Sequence, residues 1–266
     1  MMKKIFLKGY IYLVLAFMYI PLLVLFVYSF NSSPALGDWS DGVTFKVYGA
    51  LFTGRNSQAI WSALGNTVII AVASGVLSLV LGTLGAIGVD KMKKKLRNTI
   101  STAAKLPIIN AEVITALSFM IFIASLGLQP SLASLIIAHT AFCTPYVLLS
   151  VLPKLQQVNN NTYEAALDLG ATPVQALSKV ILPQILPAMI SGFLIALTIS
   201  VDDFIVTQFN KGDFETLSTY VYTAGVKRPL PPEVRALSVI IFVFALLILY
   251  VAYRTSNKNN KKENNI

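Results

Sequence analysis

Of the 266 residues, 55% are apolar and only 12% charged, and the mean hydropathy is +0.69. Soluble domains average about 25% charged residues, so water is not the main solvent of this chain. The formal charge of +9 is accounted for by basic loops and calls for no nucleic acid, and the single cysteine, Cys143, excludes an internal disulfide.

Six apolar blocks follow one another, at about 10–30, 62–89, 106–126, 131–152, 185–206 and 234–253. Each approaches or exceeds the roughly 20 residues that a helix needs to cross the hydrocarbon core. Blocks this long are not strands, and lipid tolerates only helices or closed barrels, so the fold class is all-α and polytopic with six transmembrane helices. Lys3, Lys4 and Lys8 precede the first block as they would a secretory leader. Its apolar run is longer than the roughly 7–15 residues of a leader core, and Ser29-Phe30-Asn31-Ser32-Ser33-Pro34 carries no clean cleavage signature. An uncleaved helix is predicted.

In the second block Ser74, Ser78, Gly82 and Ala86 recur every four residues, a smooth face suited to close helix packing. Asn110 and Glu112 follow Pro107 early in the third block. Glu112 is either at the inner mouth of a path or a snorkelling or capping group near the headgroups. Gly127-Leu128-Gln129-Pro130 predicts a tight outer turn before the fourth block, which holds the sole histidine, His139, with Thr140, Cys143, Thr144 and Pro145. A lone imidazole on a helix reads as hydrogen-bonded structure, and Cys143 as a small packing residue. Asp202 and Asp203 close the fifth block. The outer segments 31–61 and 207–233 carry aromatics, Gly and Pro; Tyr220 and Tyr222 there suit an interfacial belt or a stacked amine. The last stretch, 254–266, is rich in Asn and Lys and predicts a disordered tail after a permease domain of 1–253.

Fifteen of the 21 Lys and Arg residues fall in the N-terminus, the segment 90–105, the segment 153–184 and the tail. By the positive-inside rule that side is cytoplasmic, and so are both termini. Of the inner loops only 153–184 carries strong helix signals. Asn161 reads as an N-cap with Glu164 completing a capping box, and Gly170 as a left-handed stop. Thr172 reads as the next cap, with Pro173 and Gln175 behind it, and Leu182-Pro183 as the end of that helix. Ala165, Ala166, Leu169, Ala176 and Leu177 give this elbow more apolar surface than a solvated linker needs, which points to a docking partner.

Glu164-Ala165-Ala166, Gly170 and Leu182-Pro183 resemble the EAA loop of ABC-importer permeases of type I, with Val180 where Ile is usual. The likeness extends to the spermidine/putrescine permeases within that family. It is carried by Tyr19-Ile20-Pro21, Ser29-Phe30-Asn31-Ser32-Ser33, His139-Thr140-Ala141-Phe142-Cys143-Thr144-Pro145, Ser200-Val201-Asp202-Asp203-Phe204 and Pro232-Glu233-Val234. The resemblance implies a multi-pass subunit of the bacterial inner membrane whose elbow, the coupling helix, sits in a cytoplasmic ATPase. It implies an ABC ATPase dimer, a sister permease in a heterodimer and an external polyamine-binding protein as partners. ATP and Mg would be held by the ATPase, with no cofactor in this chain.

Two adjacent carboxylates are costly facing lipid. Helical spacing puts Asp203 on a stripe with Gly192, Ala196, Ser200 and Thr207, and Asp202 about 100° away under Thr198 and Ser191. Asp202, Asp203, Ser200, Tyr222 and Glu112 are the candidate path residues for a cationic amine; the competing reading has the acids capping helices or pairing with Lys211 or Arg235. An intramembrane enzyme lacks its motifs here, and so does an ATP-hydrolysing chain, which needs Gly-x-x-x-x-Gly-Lys-Ser/Thr. A stand-alone secondary transporter commonly shows inverted repeats and broken helices, neither legible here, and has no use for the elbow. Other cargo of the importer class, such as another cationic amine, iron or a phosphonate, stays open.

Overall fold

The computed structural model describes residues 2–35, 37–40, 42–227 and 230–263, with the side chains of 2–9, 160, 227, 248, 249 and 251–263 left aside. Arg228 and residues 264–266 of the expected tail therefore lie outside the described residues. Among the described residues the chain is helical throughout: α1 Met2–Tyr28, α2 Lys46–Thr53, α3 Ser57–Asp90, α4 Lys94–Ala103, α5 Leu106–Ile109, α6 Glu112–Ser125 and α7 Leu132–Leu155. There follow α8 Asn160–Asp168, α9 Pro173–Ala176, a π turn Leu177–Ile181, α10 Leu182–Asp202, α11 Ile205–Asn210, α12 Leu217–Lys227 and α13 Pro232–Glu263. Four helical segments are long and apolar enough to span a bilayer, Tyr10–Tyr28, Ser57–Asp90, Leu132–Leu155 and Pro173–Asp202.

The expected third span, 106–126, is not one helix. The stretch Lys94–Ile109 meets Glu112–Ser125 at 102°, and only as a bent pair do they make a fifth span. Asn110 and Ala111 are both extended, at ψ of 151° and 131°, and this turns the chain. Hydropathy does not register such a break, because Asn110 and Ala111 barely interrupt the apolar run. The expected sixth span, 234–253, lies within α13, part of whose side chains are outside the description. That helix runs on to Glu263, over most of the stretch whose composition predicted disorder. The segment 90–105 also departs from expectation: it holds α4, whose Ile100 packs inward from an otherwise exposed basic helix.

The chain divides into two compact units, 1–61 with 221–266, and 62–220. In the first, α1 and α2 pack on α13, burying Val47, Leu51, Val234, Ala236 and Leu237. Arg235 is buried there and donates from Nη2 to Ser33 O at 2.6 Å and from Nη1 to Tyr28 O at 3.5 Å, tying down the start of the loop between α1 and α2. In the second unit α7 is the central post, and α10 packs along it. The small-residue face of α3 does what its spacing predicts: Ser74, Ser78 and Ala86 are fully buried. A Cβ at Gly82 would stand 2.7 Å from Val147 Cβ of α7, so only glycine allows that approach. Gly192 of α10 meets the same Val147 from elsewhere, its would-be Cβ 3.2 Å from the Val147 Cα.

Candidate functional site: an exposed elbow and a broken helix

Local chemistry sets the elbow. The side chain of Asn159, not Asn161, caps α8 by accepting from the Asn161 N–H at 3.0 Å. Glu164 closes no capping box and stands exposed, because the cap lies two residues earlier than predicted. The stop is as expected: Gly170 has φ +88°. Its N–H donates to Leu167 O at 2.9 Å, and the Ala171 N–H to Ala166 O at 3.0 Å, which together form a Schellman closure. Thr172 and Gln175 then form the expected capping box with Pro173 at the start of α9.

Leu182-Pro183 does not end the helix. The π turn over Leu177–Ile181 lets the Leu182 N–H reach Leu177 O, and the chain passes into α10 without a stop. A wider turn takes the proline ring past the carbonyl it would strike in an α-helix. Pro173–Asp202 is consequently a continuous helical segment of 30 residues.

The elbow has an inward and an outward side. Ala176 is buried and Leu177 packs on the unit's core, so these two are not docking surface, contrary to the expectation from composition. Leu169 and Val174 are 89% and 74% exposed, with Glu164, Ala165, Gly170 and Pro183 also exposed and Ala166 and Leu182 half-buried. Beneath them Tyr163 packs on the core, and Lys91 Nζ at the end of α3 sits 5.3 Å from its ring centroid. A cavity of about 280 Å³ lined by Ile87, Lys91, Val158, Tyr163, Val174 and Ile181 undercuts the elbow.

At the other end of the rod, the predicted fifth span stops early. It ends at Asp202, Asp203 is extended at ψ 124°, and α11 restarts at Ile205. Asp203 is 8% exposed. Its Oδ1 accepts from the Val206 N–H at 3.3 Å, and its Oδ2 from the Thr207 N–H at 2.8 Å and the Thr207 hydroxyl at 2.9 Å, so it caps α11. His139, 1% exposed on α7, puts Nδ1 2.8 Å from Ser200 Oγ and Nε2 3.1 Å from Thr207 Oγ1 and 3.5 Å from Asp203 Oδ2. Ser200 is buried and its hydroxyl reaches Ser74 at 3.2 Å.

The stripe that placed Asp203 with Gly192, Ala196, Ser200 and Thr207 is thus a buried packing face. The alternative partners are otherwise engaged: Lys211 pairs with Glu215 at 3.5 Å and Arg235 with the carbonyls of Tyr28 and Ser33. By contrast Asp202, Thr198 and Ser191 are all exposed along the other face of α10. Glu112 is exposed in the first turn of α6, where a carboxylate favours the helix dipole. Behind α6 a cavity of about 590 Å³ is lined by Asn110, Thr115, Ser118, Phe119 and Phe142. Tyr222 is half exposed on α12 and belongs to the first unit. Sequence reasoning missed the Asp203–His139 contact; a histidine and an acid on separate helices leave no spacing signal.

Residues 78–260 match the family described as "Binding-protein-dependent transport system inner membrane component". The chain is 32% identical to the spermidine/putrescine transport system permease protein PotC of Haemophilus influenzae, covering 97% of this chain and all of that protein. It is 31% identical to the putrescine transport system permease protein PotI of Escherichia coli, over 89% of this chain and 85% of that one. Among solved structures, a subunit of a bacterial ABC transporter that imports the acidic polysaccharide alginate superposes with a TM-score of 0.73 at 17% identity, covering 96% of each chain. At that identity the likeness speaks for the fold alone.

Proposed function

The chain belongs to the inner membrane components of binding-protein-dependent transport systems, the permease subunits of bacterial ABC importers, and from that premise we propose that its cargo is a polyamine, spermidine or putrescine. It is a non-catalytic, multi-pass subunit, so its chemistry is recognition and movement. The observation that carries the cargo reading is the exposed stripe Ser191, Thr198 and Asp202 on a membrane helix. Ser191 and Thr198 spend their hydroxyl protons on Pro187 O and Leu194 O of their own helix, so the weight falls on the Asp202 carboxylate, which is costly against lipid and suits a water-filled path that passes cationic amines. Near-full-length likeness to polyamine permeases supports the same cargo.

In this reading the path also draws on Glu112, while Ser200 and Asp203, being buried, brace its wall instead of lining it, and six spans leave both termini in the cytoplasm. The exposed elbow, with Glu164, Ala165, Ala166, Gly170, Leu182 and Pro183, seats in one protomer of an ATPase dimer that holds ATP and Mg. A sister permease completes the conduit and an external binding protein delivers the amine. ATP-driven closure of the dimer pushes the elbow and opens the path outward; hydrolysis resets it. Binding along the path is shallow, because a site that grips cargo does not release it.

The test is uptake of radiolabelled spermidine and putrescine by a strain lacking this permease, with the wild-type chain or Asp202→Asn restored. Uptake that returns with the wild type and falls with the variant, while the ATPase stays bound, is expected. Restored transport of a different solute with none of either amine refutes the cargo; wild-type polyamine uptake by Asp202→Asn refutes the path.

A further inference from the structure

We infer that His139 is a positioning residue for this path: reaching from α7, it holds the break between α10 and α11 so that Asp203 stays inside the fold and Asp202 alone is offered outside. The inference rests on the reading of Asp202 as a path residue, but its geometry stands apart from that reading.

The hydrogen bonds fix which ring nitrogen does the holding. Thr207 has one hydroxyl proton, and the Asp203 carboxylate takes it at 2.9 Å. The Thr207 oxygen then has only lone pairs to present to His139 Nε2 at 3.1 Å, so Nε2 carries the hydrogen and donates. Nδ1 is left to accept from the Ser200 hydroxyl at 2.8 Å, and Ser200 accepts in turn from Ser74 at 3.2 Å. The imidazole therefore ties three elements to α7: α3 through Ser74, the end of α10 through Ser200, and the start of α11 through Thr207 and Asp203. Its two bonds straddle the break and fix where one helix stops and the next begins.

The division of the two acids follows. Asp203 has both oxygens engaged in capping α11 and a ring Nε2 3.5 Å away. Asp202, one residue earlier, ends α10 on its exposed face. If the break slipped by one residue towards the N-terminus, Asp202 would enter the buried pocket and Val201 would end α10, leaving the exposed end of that helix without a carboxylate.

The side-chain lengths supply the test. Glutamine carries its amide to the place of Nε2 and keeps the tie to Thr207; asparagine reaches only the place of Nδ1 and keeps the tie to Ser200. The complete transporter, with its ATPase, sister permease and binding protein, is reconstituted in nanodiscs for exchange and in proteoliposomes for uptake. Hydrogen exchange is read at the Val206 and Thr207 amides, which Asp203 protects. His139→Ala and His139→Asn are expected to speed that exchange roughly tenfold, the loss of about one hydrogen bond, and to lower maximal uptake with the half-saturating cargo concentration unchanged. His139→Gln restores both. Unaltered exchange in His139→Ala, or equal rescue by Asn and Gln, overturns the assignment. Should His139→Ala fail to reach the membrane, the Gln and Asn variants decide it between themselves. Altered exchange with normal uptake by Asp202→Asn sustains the positioning role and removes the path reading instead.

Discussion

Leu169 sits at the tip of the elbow with 89% of its surface exposed, and Val174 nearby with 74%. Among the described residues Leu169 packs on nothing in the core and Val174 only rims the cavity under the elbow, so truncating them tests docking with little cost to folding. Fully burying a leucine side chain is worth about 1.5–3 kcal/mol, and nine-tenths of that is still available to a partner here. Leu169→Ala removes most of it, about 2 kcal/mol, which weakens ATPase binding roughly 30-fold. Val174→Ala has less to lose and is expected to cost about 1 kcal/mol, or roughly fivefold. The assay is titration of purified ATPase onto the permease in nanodiscs, with the thermal midpoint of the permease alone as the control for folding. Ala176→Leu is the contrasting variant: its site is already filled, so it is expected to lower the thermal midpoint. An unchanged affinity in the Leu169→Ala, Val174→Ala double variant would mean that the exposed tip is not the docking surface, and the coupling argument would lose its physical basis.

Other substitutions report on single geometric features. Gly82→Ala brings a Cβ to 2.7 Å from Val147 Cβ, an overpacking expected to destabilise by about 1–3 kcal/mol. Val147→Ala in the same chain should recover part of that loss, and heat denaturation in detergent measures both. Gly170→Ala forces an L side chain onto a backbone at φ +88°, at about 1–2 kcal/mol. Because the Schellman closure aims the elbow, a transporter assembled with this variant is expected to let its ATPase turn over while taking up little cargo, and normal uptake counts against that. In the loop between α1 and α2, the Asp38 carboxylate accepts from the Ser40 backbone N–H at 3.0 Å and from the Ser33 hydroxyl at 3.0 Å. The Ser40 bond first, then the Ser40 and Ser33 hydroxyls, hold its pKa below the usual carboxylate range. A depressed folded-state value stabilises the loop above the unfolded pKa of about 3.9, and the benefit disappears as pH falls through the lower folded value. Asp38→Asn should therefore remove that part of the acid dependence of limited proteolysis at 31–45.

What was legible in the sequence was whatever local chemistry or periodicity encodes. Ser74, Ser78, Gly82 and Ala86 announce a helix contact by spacing alone, and the structure buries all that spacing predicts. Thr172-Pro173 and Gly170 announce a cap and a stop, and both are present. Breaks inside apolar runs were not legible. Asn110-Ala111 and Asp203-Phe204 interrupt helices whose hydropathy continues across them, so the third and fifth expected spans were drawn straight through. Leu182-Pro183 misled in the opposite sense, because a π turn accommodates a proline that an α-helix would not. For the candidate site, helical phase separated Asp202 from Asp203 correctly, but phase cannot say which face is inside. That answer came from His139, a residue on another helix.

The placement of the breaks gives the subunit a mechanical logic. From the capping box at Thr172 to the last residue of α10, the helical segment runs 30 residues, Pro173–Asp202, about 45 Å at 1.5 Å per residue. On the way it carries the π turn, which shifts the hydrogen-bonding register, and an interior proline, Pro187, which leaves one backbone bond unmade; neither ends the helix. Under the proposed coupling, a push on the elbow would travel along this rod, which α7 holds by close backbone approach at Gly192 and by the His139–Ser200 bond near its far end. The rod stops where the chain becomes extended, at Asp203, and α11 beyond it packs on α6 and α7. His139 bonds both sides of that break, Ser200 on the rod and Thr207 on α11, so the joint is pinned to α7 rather than free, and a stroke of the rod has to carry the imidazole with it or break one of its two bonds.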